Sequence, residues 1–122
     1  MRNDAVYLNH ILDAINRIQG YVAGVSHDQF LLNSLLQDGV VRQLEIIREA
    51  ARNVSCTFRD AYPEIPWREM TGTGNKLIHD YFGVNLFIVW DTVQSDLPPL
   101  GRQVERILRM LGEEHGEGGK LQ

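Results

Sequence analysis

The stretch LQDGVVRQLEIIREAARNVSCTF, residues 36–58, decides the fold class of this 122-residue chain. Its apolar residues recur at steps of three or four, which is the spacing that forms one stripe along an α-helix. The members of this stripe are Leu36, Val40, Leu44, Ile47, Ala51, Val54 and Phe58. Arginine and glutamate residues occupy the other faces. The stretch therefore predicts a long amphipathic helix that packs its stripe against other helices.

Two further helices are predicted before this stretch. An apolar stripe of the same kind runs through residues 8–25 and predicts a first helix that ends near Gly24. The sequence SHDQ, residues 26–29, has the Ser-x-x-Gln form of a capping box and predicts the start of a short helix. Asn33 or Ser34 is then suited to cap the long helix.

Prolines predict a break after the long helix, in the sequence AYPEIPW, residues 61–67. Each proline favours an extended conformation for the residue before it. A third helix then begins at Pro66, because proline is favoured in a first turn. It resumes through residues 77–82, after Gly72 and Gly74.

The C-terminal third contains two more apolar segments. The sequence LFIVWDTV, residues 86–93, is nearly all apolar, and its periodicity alone fits either a strand or a helix. We predict a helix, because no other segment alternates with period two and a single strand would have no partner. The sequence SDLPPL, residues 95–100, predicts another break, with Ser95 or Asp96 as the cap of a last helix.

Together these segments predict an all-α fold, an up-and-down bundle of four to five helices. Residues 1–112 are expected to form one domain and residues 113–122 a flexible polar tail. Segment 86–93 is apolar on nearly every side, and the chain has many large aromatic residues for a small bundle. Part of this surface is therefore expected to pack against a second copy in a symmetric dimer.

The composition limits the possible functions and locations. A net charge of −4 gives no general attraction for nucleic acid, so any RNA would have to meet a local basic patch or a groove made by several subunits. The single Cys56 excludes an internal disulfide and fits a reducing cytoplasm. The sequence has no apolar run long enough to span a bilayer and no signal-peptide pattern, so a cytoplasmic protein without a membrane partner is expected.

The stretch GTGNKLIHDYF, residues 72–82, contains the residues best suited to chemistry. Asn75 and His79 are four apart and would share a face of a helix. A histidine in an apolar helix is nevertheless more often structural than catalytic, and an asparagine beside a glycine can simply be a cap. The sequence has no phosphate-binding loop and no zinc-ligand spacing, so no cofactor or metal is predicted.

Five blocks of the sequence, in their order and spacing, resemble the HepT-like family of the HEPN superfamily. They are VVRQLEIIREAA (40–51), IPWREM (65–70), GNKLIHDYFGV (74–84), VWDTV (89–93) and DLPPL (96–100). The resemblance extends from about residue 4 to residue 111. It implies a HEPN-like helical bundle that forms homodimers and acts as a metal-independent ribonuclease toxin. It also implies a partner, an MntA-type nucleotidyltransferase antitoxin.

The resemblance assigns roles to individual residues. The family motif is an arginine, four to six residues, and a histidine, followed in this branch by x-Tyr. By this match His79 is the catalytic histidine, Asn75 is the polar residue after the arginine, and Tyr81 is the tyrosine to which the antitoxin transfers AMP. The tyrosine could instead be a half-buried interface residue.

This chain departs from the family motif at the arginine, where it has Gly74. Arg68 is too far upstream of His79 to fit the spacing. A second departure is Arg48, at a position where the family often has glycine. One interpretation is that Arg48 reaches the site from the neighbouring helix. The alternative is a solvated arginine that pairs with Glu45 or another nearby acid.

The motif suits RNA cleavage, because RNA supplies its own nucleophile in the 2′-hydroxyl. A histidine can transfer the proton and a guanidinium can stabilise the charge on the phosphate. Loss of one such stabiliser typically costs about 10²–10³ in rate. The resemblance therefore implies a ribonuclease toxin, and Gly74 in place of the motif arginine predicts that it is weakened or inactive. The alternatives are a non-catalytic dimeric subunit that binds a nucleotidyltransferase, and a structural bundle without a partner.

Overall fold

The computed structural model describes residues 3–71, 79–80 and 83–114 of the chain, with the side chains of residues 79, 80, 113 and 114 excepted. Its elements are α1 (Asp4–Val22), α2 (His27–Leu31), α3 (Ser34–Asn53), α4 (Cys56–Ala61), α5 (Trp67–Thr71), β1 (His79–Asp80), β2 (Gly83–Val84), α6 (Leu86–Asp91), a π-helical turn (Thr92–Asp96) and α7 (Leu97–Glu114). The predicted all-α class is confirmed. Residues 86–114 form one continuous helix, so the described part of the chain contains six helices.

The core lies where α1 packs along α3 on one side and along α7 on the other. These helices bury apolar stripes with the spacing expected from the sequence. Side chains with essentially no solvent exposure include Leu8, Ile11, Ile18, Phe30, Val40, Ala51, Val104 and Ile107. In the stripe predicted for residues 36–58, four members are buried and the other three pack against the core. The stripe therefore predicted the buried face correctly.

The predicted helix starts before α3 are also confirmed. Ser26 accepts a hydrogen bond from the Gln29 backbone N–H (3.1 Å), and the Ser26 N–H donates to the Gln29 side chain (2.8 Å), which completes the capping box. Asn33 caps α3 by accepting from the Leu36 N–H at 3.0 Å. Gly24 follows α1 with a φ of +73°, a conformation that glycine adopts without steric cost.

The prediction of one helix through Phe58 is wrong, because α3 ends at Asn53 and α4 begins at Cys56. Ser55 ends the run by capping α4, and its Oγ accepts from the Phe58 N–H at 3.1 Å. The Asp4 carboxylate holds this cap in place by accepting from the Ser55 N–H (2.8 Å) and from its Oγ–H (2.9 Å). The break therefore depends on a contact with the first residue of α1.

The prediction that the third helix resumes through residue 82 is wrong at His79–Asp80. These two residues form β1, which pairs antiparallel with β2. His79 lies opposite Val84, and Asp80 lies opposite Gly83. Gly83 has a φ of +122°, in a region that side-chain-bearing residues rarely adopt, so glycine permits the chain to reverse here.

The predicted break at SDLPPL is also wrong, because the backbone stays helical from α6 into α7. Pro98 and Pro99 have no N–H to donate to the carbonyls one turn earlier. The chain accommodates them by widening to the π-helical turn Thr92–Asp96, in which the Leu97 N–H donates to the Thr92 carbonyl. Prolines in the first turn of α7 therefore reshape the helix instead of ending it.

The π-helical turn has acidic residues at its two ends, Asp91 and Asp96. Burial raises the pKa of Asp96, and the negative charge of Asp91 raises it further. The folded chain therefore holds the Asp96 proton more tightly than the unfolded chain does. The stability that this provides at low pH is lost as the pH rises through the raised pKa.

Candidate functional site

Of the site residues predicted from the sequence, Gly74, Asn75 and Tyr81 lie outside the described residues. His79 lies in β1, and its backbone pairs with Val84 of β2. Since His79 is not in a helix, its four-residue spacing from Asn75 no longer implies a shared helix face. The surroundings of His79 are therefore those of the hairpin that β1 and β2 form.

A shallow groove of about 270 Å³ lies beside this hairpin. One wall is a face of α3, and the other wall is formed by Val84 and by Leu86 at the start of α6. The α3 wall consists of Gln37, Asp38, Val41, Arg42 and Glu45. We call this feature the α3 groove. Because Val84 is the pairing partner of His79, the groove lies next to the strand that carries the histidine.

The charges in the α3 groove do not favour a polyanion by themselves. Asp38 and Glu45 are acidic, and Arg42 is the only basic residue among the described residues that line the groove. A phosphate would therefore need positive charge from outside this lining.

Arg48 is the nearest further arginine on the same face of α3, since it follows Val41 by seven residues and Glu45 by three. Its Nε is buried and has no hydrogen-bond partner among the described residues. The predicted pairing of Arg48 with Glu45 stays a prediction. By helical spacing Arg48 lies one turn beyond the groove, with its Nε buried and without a hydrogen-bond partner in the described part of the chain.

An aromatic cluster joins α2 to α6 and was missed by the sequence analysis. His27 stacks parallel to Trp90 with ring centroids 5.4 Å apart, and Phe87 packs edge-on against His27 at 5.6 Å. Phe30 lies under Trp90, with 5.2 Å between ring centroids. In the sequence His27 is recognisable only as part of a capping box. Because His27 and Trp90 are far apart along the chain, no local pattern predicts their contact.

Part of the predicted aromatic surplus is used inside the chain. Trp67 is buried and donates its Nε1–H to the Tyr62 carbonyl at 2.9 Å. Phe87 is 64% exposed, Leu32 (88% exposed) follows α2, and Leu35 (82% exposed) lies in the first turn of α3. These side chains contribute apolar surface that the described part of the chain leaves uncovered. The predicted homodimer stays a prediction.

The described residues include no group of three or more histidine, cysteine, aspartate or glutamate side chains placed to hold a metal ion. Within residues 3–71, 79–80 and 83–114, every helix is too short or too polar to cross a lipid bilayer.

Comparison with known proteins gives a match to the family model described as "Ribonuclease HepT-like", over residues 11–107. The chain is 41% identical over 106 residues to "Probable ribonuclease HepT" of Thermococcus cleftensis, which covers 87% of this chain and 96% of that protein. It is 40% identical over 109 residues to "Putative RNase TTE0752" of Caldanaerobacter subterraneus, with 89% and 97% covered.

A longer relative is "Gamma-glutamylcyclotransferase and putative RNase MJ0434" of Methanocaldococcus jannaschii, 41% identical over 112 residues. The match covers 91% of this chain but 50% of that protein, so the chain spans half the length of this relative. The search of solved structures found no match.

Proposed function

The chain belongs to the HepT-like ribonuclease family, and from this premise we propose that it is the toxin of a toxin–antitoxin pair, an endoribonuclease that uses His79 for proton transfer. The observation that carries this proposal is the position of His79 in β1, whose partner strand lines the α3 groove. The match over residues 11–107 supports the same activity class.

The proposed reaction is a transesterification within the RNA. The 2′-oxygen of one nucleotide attacks the neighbouring phosphorus while a base removes the 2′-hydroxyl proton. The bond from phosphorus to the 5′-oxygen breaks, and an acid donates a proton to that leaving oxygen. The products are a 2′,3′-cyclic phosphate and a 5′-hydroxyl. Proton transfer of this kind suits histidine, whose ordinary pKa lies near neutrality.

A homodimer would supply both proton-transfer groups. One chain contributes one His79, whereas the reaction needs a base and an acid. Two copies that face each other across one RNA strand would place an imidazole on each side of the phosphate. Pairing would also bring basic residues of two chains to one groove, although each chain has a net charge of −4. We therefore propose that the active unit is a dimer.

The test of this activity is cleavage of a defined single-stranded RNA by the purified chain in the presence of EDTA. We expect fragments that carry a 2′,3′-cyclic phosphate, identified by mass spectrometry. The matched control is the same oligonucleotide with 2′-fluoro groups, which lacks the nucleophile and should remain intact. Fragments from the fluorinated strand, or linear 5′-phosphate products from RNA, would contradict the mechanism.

Tyr81 is the proposed site of antitoxin control. The tyrosine oxygen would attack the α-phosphorus of ATP bound to an MntA-type nucleotidyltransferase, with loss of the tyrosine proton and release of pyrophosphate. The AMP group would add negative charge and bulk two residues from His79, where it repels and obstructs an RNA phosphate.

We expect incubation with such a nucleotidyltransferase and ATP to add the mass of one AMP group per chain, measured on the intact protein. Tyr81→Phe should remove this gain. Tyr21→Phe is the control, because Tyr21 is an exposed tyrosine of α1 and its loss should leave the gain unchanged. An unmodified parent chain, or a modified Tyr81→Phe variant, would contradict the assignment.

A second candidate function is supported by Gly74, which stands where the motif has arginine. A chain without that charge could be a non-catalytic dimeric subunit that only binds a nucleotidyltransferase. The two functions differ in one result, since a binding subunit would accept AMP but never cleave RNA.

A further inference from the structure

Arg48 is unlike the other partly buried arginine of its neighbourhood. Arg59 also has a buried Nε without a partner among the described residues, but its Nη2 donates to the Ala51 and Arg52 carbonyls, each at 3.0 Å. Arg59 therefore has a structural role, in closing the C-terminal end of α3. Arg48 makes no such bond to another residue in the part of the chain that the structure describes.

A buried Nε without a hydrogen-bond partner lowers the stability of the folded chain. Nearly all buried polar groups in folded proteins have a hydrogen-bond partner, and a buried donor without one loses its interaction with water. The Arg48 side chain is half-buried, with its Nε fully removed from solvent. The Nε is closed to an anion from solvent, whereas the two Nη groups are not among the buried unpartnered atoms and can donate two parallel hydrogen bonds to one phosphate or carboxylate.

The position of Arg48 along α3 brings it next to the α3 groove. The helical spacing places Arg48 on the face of α3 that lines the α3 groove, one turn beyond Glu45. Arg48 lies on α3, which forms one wall of the groove and also packs against α5. Arg48 is thus the first arginine along this face of α3 beyond Arg42, which lines the groove itself.

We propose that Arg48 is a substrate-binding residue that holds a phosphate of the RNA strand lying in the α3 groove. The inference rests on the proposed ribonuclease function, and it adds to it the residue that supplies positive charge where Gly74 supplies none. The described lining of the groove includes one arginine, and a second arginine on the same face of α3 would add positive charge for a phosphate. A guanidinium that meets two phosphate oxygens would also fix the strand relative to β1.

The experiment measures binding of a single-stranded 2′-fluoro oligonucleotide, which cannot be cleaved at the 2′ position. Arg48→Met removes the charge and keeps a long apolar side chain for packing. We expect it to weaken binding by about 10- to 100-fold, since hydrogen bonds to charged groups are the strong ones. The dependence of log Kd on log salt should become shallower by about 0.7 for each phosphate that the chain no longer neutralises.

The matched control is Arg17→Met, which removes an exposed arginine of α1 that does not line the groove. It should change the affinity by less than about threefold, because an exposed charge away from the strand is screened by salt. Arg48→Lys keeps the charge without the fork and should bind with an intermediate affinity. Thermal unfolding by circular dichroism checks that each variant folds as the parent does.

The outcomes separate the role of Arg48 from the function on which it rests. Unchanged affinity of a folded Arg48→Met chain, with RNA cleavage intact, overturns the role of Arg48 and leaves the ribonuclease proposal standing. Equal losses of affinity in Arg48→Met and Arg17→Met also overturn it, because general charge would then explain the binding. A parent chain that neither binds nor cleaves RNA overturns both proposals.

Discussion

His79→Ala is expected to abolish measurable RNA cleavage without unfolding the chain. General acid–base catalysis by one side chain typically contributes about 10²–10⁴ in rate, and in a symmetric dimer the substitution removes both imidazoles together. The fold should tolerate the change, because the pairing of β1 with β2 is made by the backbone. The measurement is the initial rate of cleavage of a fluorogenic RNA, with growth of a bacterial host as a second readout of toxicity.

The control for this variant is His10→Ala. His10 is an exposed histidine on α1 whose ring lies edge-on to Tyr7, with 6.1 Å between centroids, so its loss removes an imidazole far from the groove along the chain. It should leave the cleavage rate unchanged. His79→Gln is a third variant that keeps a polar side chain but cannot transfer the proton. A full rate in either His79 variant would contradict the role of this residue in catalysis.

The parts of the fold that were predictable depend on neighbours in the sequence. The stripe through Val40, Ile47 and Ala51 gives the buried face of α3, because helical spacing alone decides which side chains share a face. The capping box at Ser26 is equally local, since both of its hydrogen bonds join residues three apart. Patterns that join residues three or four apart can be recognised from the sequence alone.

The wrong predictions have two kinds of cause. Some elements depend on contacts with distant parts of the chain, and others depend on changes in helical hydrogen bonding. Apolar periodicity reports neither. The stripe continues past Asn53 to Phe58, but the helix does not, because Asp4 fixes the Ser55 cap from 51 residues away. Apolar periodicity shows which face of a helix is buried, but it does not show where such a break occurs. The prolines of α7 predict a stop, whereas a π-helical turn absorbs the missing N–H donors.

The site residues stay a prediction from the sequence, and the surroundings of His79 could not be predicted. His79 stands out by its place in a motif, yet β1 and β2 are each two residues long, too short to show a period-two pattern. Gly83 is a local signal of a turn, but it does not show which strands the turn joins. The α3 groove joins Val41 and Glu45 to Val84, about forty residues later in the chain, and no local pattern reports that contact.

Gly74→Arg is expected to raise the rate of RNA cleavage by up to about 10²–10³, because it restores a charge that stabilises the transition state at the position where the motif has arginine. Toxicity to a bacterial host should rise with it. The measurement is again the initial rate on a fluorogenic RNA. The matched control is Gly72→Arg, which places the same side chain in the same stretch but two residues out of register. An equal gain in the control, or no gain from Gly74→Arg, would contradict the assigned motif.

Combining Gly74→Arg with Arg48→Met asks whether the two arginines act on the same phosphate. If Arg48 already holds the phosphate in the parent chain, the restored arginine partly duplicates its contribution. Gly74→Arg should then give a larger gain in the Arg48→Met background than in the parent, since residues that share a partner have non-additive effects. Equal gains in the two backgrounds would show that the charges act independently, in which case Arg48 does not stand in for the arginine missing at position 74.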